Sequence, residues 1–178
     1  MSRIAELAEA YVEALRLENE PRRYARFLSG LAPPLQEHEI TSEMREIIPP
    51  LVLDLLKWHN GSKNVNFVSH HSLSSADEII ESFKITSRPR GVLDYAQFVP
   101  FTDDHACGSY YYNRQNGLVG DWMFEEDPFD LDMTLEEFLE FCIEKAKSGE
   151  WRLTSDGDVH DAEEVSAGSE ADEEDENE

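Results

Sequence analysis

Cysteine is scarce: Cys107 and Cys142 are the two thiols in 178 residues. Two thiols cannot build the multi-bridge framework of a small secreted scaffold. Bases are also scarce, with 15 Lys and Arg against 39 Asp and Glu and a formal net charge of −24. Such a surface repels nucleic-acid phosphates and anionic membranes, and attracts basic partners. No run approaches the roughly 18 apolar residues of a membrane span. The opening stretch "MSRIAELAEAYVEALRLENE" is interrupted by charges and lacks the apolar centre of a secretory signal. The phosphate loop G-x-x-x-x-G-K-[ST], the dinucleotide motif G-x-G-x-x-G and the nucleophile elbow G-x-S-x-G are all missing. These absences predict a cytoplasmic protein that is not an enzyme and uses no cofactor or metal. They also predict that it binds neither nucleic acid nor membrane.

The residues present divide the chain into three parts. Residues 1–34 read as an N-terminal helical extension. Ile4, Leu7, Ala8, Tyr11 and Leu15 follow helical spacing, and "RRYARFLSG" forms a second helix ending at Gly30. Packing of this extension on the body is favoured over a separate partner-binding arm. Residues 35–153 read as an α+β domain, and residues 154–178 as a disordered acidic tail. Twelve of the 39 acids fall in that tail, where no Lys or Arg occurs.

Within the central part, "PPLVLDLLKWHNGS" is a helix begun near Pro50 and stopped at Asn60-Gly61. "NVNFVSHHSL" reads as a first strand. Ser75 and Glu78 make a capping box for a short helix, and Thr134 and Glu137 another for the C-terminal helix. Gln97–Thr102, Gly108–Arg114 and Leu118–Phe124 read as three consecutive strands, the last two joined by a hairpin at Asn116-Gly117. "EEDPFDLD" reads as an acidic loop. Leu135, Phe138, Leu139, Cys142, Ile143 and Ala146 line one side of the closing helix, and the sheet is the natural surface to cover it.

The stretch "DDHACGSYYYNRQNG" concentrates the chemistry. Asp103, Asp104 and His105 offer metal-ligand types, and Cys107 offers a thiol. A metal site needs several converging ligands, and no C-x-x-C, H-x-x-x-H or second acid–histidine cluster supports one. His70 and His71, adjacent in an expected strand, would point to opposite faces. No base is identified for Cys107. An enzyme working through Asp104, His105 and Cys107 is thus the least supported reading. Strand alternation puts Tyr110 and Tyr112 on one face and Tyr111 on the other. "SDGDVHD" departs from a calcium loop, because its glycine directly follows the first Asp.

Three ordered segments resemble the SUKH superfamily, which includes the fungal cell-wall-assembly regulator and many bacterial immunity proteins. "EMREIIPPLVLDLLKWHNGS" is similar to the family's opening pair of helices. "FVPFTDDHACGSYYYNRQNGLVGDWMFEED" is similar to its central hairpin. There Gly108 falls at the characteristic glycine, Asn113 about where an Asp is common, and Val119 in the following strand. "MTLEEFLEFC" is similar to the closing helix. Pro49-Pro50 and Cys107 depart from the pattern.

The resemblance implies an α+β fold with a mostly antiparallel sheet flanked by helices. It also implies a binding module, most often an immunity protein that neutralises a toxin, frequently a nuclease. The alternative is a regulatory or scaffolding protein of cell-wall or signalling assemblies. The expected partner is a basic protein, such as a toxin nuclease domain. The expected contacts are Asp103 and Asp104 in the turn and Glu125, Glu126 and Asp127 in the acidic loop. Tyr110, Tyr112 and Trp122 would serve as aromatic anchors.

Overall fold

A computed structural model describes residues 1–88, 95–106, 108–123 and 126–165. The fold is α+β. Helix α1 (Arg3–Glu18) starts at Ser2, whose hydroxyl accepts the Ala5 N–H. Pro21 begins α2 (Pro21–Gly30), where its missing N–H costs nothing. Helices α3 (Ser42–Ile47) and α4 (Pro50–Trp58) follow, with Pro50 opening the second in the same way.

The capping box of Ser75 and Glu78 opens α5 (Ala76–Thr86). Asn60 contributes too: its side-chain oxygen accepts the Ala76 N–H at 2.9 Å. Helix α4 ends with His59 as its C-cap, so Asn60, expected to stop that helix, instead helps to start the next. Thr134 and Glu137 cap α6 (Leu135–Ser148), and Gly149, at φ 75°, ends it.

The sheet is antiparallel throughout, with spatial order β2 (Phe98–Pro100), β4 (Gly108–Asn113), β5 (Leu118–Met123), β6 (Phe129–Thr134). Strands β1 (Ser72–Leu73) and β3 (Thr102–Asp103) pair beside it, and Phe101 and Asp104 bond across to β4. One face carries Val99, Tyr110, Tyr112 and Val119 and is covered by α6, where the Phe138 ring lies 5.0 Å from that of Tyr110. Helix α1 packs against α6 and α4 and buries Ile4, Leu7, Ala8, Tyr11 and Leu15. Its Tyr11 hydroxyl donates to the Phe67 carbonyl at 2.7 Å. A single core cluster runs from Ile4 through the body to Val159. The opposite face holds a smaller cluster of Tyr95, Phe98, Tyr111 and Trp122.

Several expectations change. The first strand shrinks to Ser72–Leu73, because the chain tightens into a turn over Val68–His71 with His70 at φ 60°. The acidic loop contains β6: Phe129, Leu131 and Met133 alternate with Asp130, Asp132 and Thr134, a strand period masked by the carboxylates. A bulge sits between Val119 and Gly120, opposite Asp132 at φ 56°. The chain after Leu153 remains ordered as far as it is described. Strands β7 (Trp151–Leu153) and β8 (Val159–Asp161) form a hairpin with Val159 fully buried. Gly157 at its tip lies so close to α2 that a Cβ there would sit 2.6 Å from the Phe27 nitrogen. Asp158, part of the rejected calcium motif, instead accepts the Asn66 N–H at 2.7 Å. The rest of the expected tail, 166–178, lies outside the described residues.

Candidate interaction surface

Gly108 brings two loops together. A Cβ at this position would lie 2.5 Å from the Asp104 carboxylate and 3.0 Å from the Met123 sulfur. The turn after β3 and the end of β5 therefore converge on a residue without a side chain. Met123 pairs directly with Gly108, and Phe129 pairs with Asp121 two residues earlier on the same strand. Alternation puts Asp121, Met123 and Phe129 on one face, with diagonal neighbours about 7–8 Å apart. Phe129 is 61% exposed and Met123 42%. This apolar pair stands beside exposed Glu126 and Asp127, and beyond Gly108 beside exposed Asp103. A cleft of about 350 Å³ opens next to the turn, lined by Ser82, Ile85, Thr86, Pro100, Thr102 and Asp103 among others.

The acids divide by role. The Asp104 Oδ1 atom accepts N–H groups from Ala106 and Gly108, each at 2.8 Å, so this carboxylate holds the turn together. Asp103 accepts the His105 N–H at 2.8 Å and keeps its second oxygen 3.8 Å from the His105 ring. His105 sits at φ 62°, a conformation its own turn requires. Asp127 accepts from the Tyr95 hydroxyl at 3.4 Å, and the Glu126 carbonyl accepts the Trp122 indole N–H at 3.0 Å. Both contacts pin the β5–β6 loop to the sheet. Glu125 and Cys107 lie outside the described residues.

The expected aromatic anchors differ in burial, and Trp122 is the one that burial removes from the surface. Trp122 is 3% exposed, stacks on Tyr95 and has its N–H satisfied, so it serves the smaller core. Tyr110 is half-buried between Phe138 and His71. Burial first, and the Asp121 carboxylate second, push its hydroxyl pKa up to about 12. Tyr112 is half-buried against the main core. Tyr111 is fully buried on the other face, where its hydroxyl donates to Asp130 at 3.0 Å. On this face sequence reasoning missed two exposed apolar residues, Met123 and Phe129. The alternation of β6 would have revealed Phe129 as a strand residue, but not its exposure.

No protein family and no curated protein matches this chain.

Other reactive and ligating groups lie away from this surface. The Cys142 thiol is fully buried in α6, and that burial pushes its pKa far above the ordinary thiol value. Among the described residues, His70, His160 and Glu164 form a group whose donor atoms lie within 4.8 Å of one another. Sequence reasoning overlooked this group because its members come from a turn and a hairpin 90 residues apart. The spacing of His160 and Glu164, four apart, was the one local signal.

Proposed function

We propose that this chain is a non-catalytic binding module of the SUKH kind, acting in the cytoplasm as an immunity protein. Its target is a basic toxin domain, foremost a nuclease. The reading is carried by the exposed Met123–Phe129 pair set beside acidic loops at one end of the sheet. Specific interfaces place an apolar centre inside a polar rim, and a few large side chains supply most of the binding energy. A nuclease is basic where it holds phosphate. An acidic protein with net charge −24 is drawn to that region, and can cover it. The acids steer the encounter, while Phe129 and Met123 resist dissociation.

The test is inhibition of cognate nuclease toxin domains by the purified chain, alongside rescue of growth on co-expression. Replacing Phe129 with Ala should weaken inhibition by about 10-fold or more, chiefly through faster dissociation. Reversing Asp103, Glu126 and Asp127 together to Lys should slow association and weaken its salt dependence. Leu17→Ala, on the exposed side of α1, should change neither rate. Inhibition indifferent to both the Phe129 and the charge-reversal variants would refute this surface as the binding site.

A further inference from the structure

The corner formed by the Val68–His71 turn and the β7–β8 hairpin has a geometry unlike an ordinary surface ion pair. The turn is closed by the His71 carbonyl, which accepts N–H groups from Phe67 at 2.7 Å and Val68 at 3.1 Å. His70 sits at the tip in a left-handed conformation, φ 60°, which non-glycine residues seldom adopt. Its own N–H bonds the Val159 carbonyl at 3.3 Å, so the tip is tied to β8. The ring is thereby placed against that of His160, with centroids 4.5 Å apart and planes at 64°. After β8 the chain turns helical over residues 162–165, and Glu164 comes back over His160.

One oxygen serves both rings. The Glu164 Oε2 atom is 3.1 Å from His70 Nε2 and 3.3 Å from His160 Nδ1. Donors about 2.0–2.2 Å from a tetrahedral ion are separated by about 3.3 Å, so both carboxylate–imidazole edges already have ligand spacing. The remaining nitrogen of His160 is 3.4 Å from the Asn66 side-chain amide. The amide nitrogen Nδ2 is the atom facing the ring; rotated by 180°, the amide would accept the Nε2–H through its oxygen and leave the Nδ1 lone pair facing Glu164. Metal-binding histidines are typically oriented in this way. Asp161 Oδ2 lies 3.9 Å from His70 Nε2, and itself accepts from the Ser69 hydroxyl at 3.4 Å.

We infer that His70, His160 and Glu164 bind one divalent transition-metal ion of the zinc type. Two imidazoles and one carboxylate suit Zn²⁺, Ni²⁺ or Cu²⁺ rather than Mg²⁺ or Ca²⁺, which take oxygen donors. The fourth position is left to water or to Asp161. The site is partly exposed, so the ion exchanges with solvent. Its consequence is mechanical: the ion clips the Val68–His71 turn to the hairpin and to the segment leading into the acid-rich C-terminus. The inference is independent of the toxin-binding surface and stands if that surface is wrong.

The test is equilibrium dialysis of the chelator-treated full chain against Zn²⁺ with about 1 mM Mg²⁺ present as an oxygen-seeking competitor. One tightly held equivalent is expected. His70→Ala and His160→Ala should each weaken it by about 100-fold, and Asn66→Ala by about 10-fold. His38→Ala, on an exposed turn far along the chain, should leave it unchanged. Co²⁺ in place of Zn²⁺ should give visible absorption of a low-coordinate nitrogen–oxygen site, lost in His160→Ala. Circular dichroism of the metal-free variants confirms that they fold. Zinc that stays bound in folded His70→Ala and His160→Ala would belong to the acidic tail and would overturn the proposal. So would the absence of a tight equivalent in the parent chain.

Discussion

Glycine is used in two physically different ways three residues apart, in the β4–β5 turn and within β5. At Gly117 the backbone is at φ 77° in the β4–β5 hairpin, and the nearest atom to a Cβ added there would be the Tyr112 hydroxyl at 3.4 Å. At Gly120 the conformation is ordinary, but a Cβ would lie 2.1 Å from the Tyr111 hydroxyl and 2.5 Å from the Phe129 carbonyl. The second conflict involves backbone and a buried ring bonded to Asp130, so neither neighbour can yield cheaply. Asp130 also accepts from Asn113, at 3.3 Å, and from Asn116, at 2.7 Å, which fixes the ring's position further. Gly117→Ala should cost about 1 kcal/mol from strained φ, and Gly120→Ala about 2–3 kcal/mol from overpacking. Urea unfolding of the two variants compares them directly, and an equal loss would contradict this assignment. Asn116-Gly117 announces its turn in the sequence. Nothing in the sequence announces Gly120, because its constraint comes from a tyrosine on another strand.

Among the elements, α6 was the most legible and β6 the least. Both follow the hydrophobic period expected of them. The helix also has its start written locally: Thr134 accepts the Glu137 N–H, and the Glu137 carboxylate accepts from Thr134 at 2.8 Å through both its N–H and its hydroxyl. These bonds hold the Glu137 carboxyl below the usual range. Thr134→Ala removes the hydroxyl from both bonds and should lower stability by about 1 kcal/mol, measured by denaturant midpoint. Helix content of the native state should be unchanged, because α6 is held by its buried face as well. In β6 the alternating residues are carboxylates, which ordinarily signal a solvated loop. They are accepted here because Asp130 meets Tyr111, Asn113 and Asn116 across the sheet. A strand whose polar residues find partners on other strands has no local signature.

At the scale of the whole molecule, burial of ionisable groups sets how stability depends on pH. Tyr110 holds its proton to about 12, and burial also raises Tyr11 and Cys142 well above their ordinary values of 10.0 and 9.0. The folded state keeps these protons while the unfolded chain releases them. Their stabilisation is therefore complete below about pH 9 and lost as pH rises, with the Tyr110 share falling between pH 10 and about 12. Denaturant midpoints should decline across that range, and Tyr110→Phe should make the decline shallower. A flat profile to pH 12 would show that these groups titrate alike in both states.

The sequence by itself determined the main helices, the capping boxes of α5 and α6, the β4–β5 hairpin and the excess of negative charge. Each follows from neighbours within about four residues or from composition alone. Tertiary structure decided which aromatics are covered, which carboxylates close turns, and which side chains remain exposed. It also decided that His70 meets His160. Those outcomes depend on contacts between segments far apart in the chain, and burial belongs to the packed arrangement rather than to any residue alone.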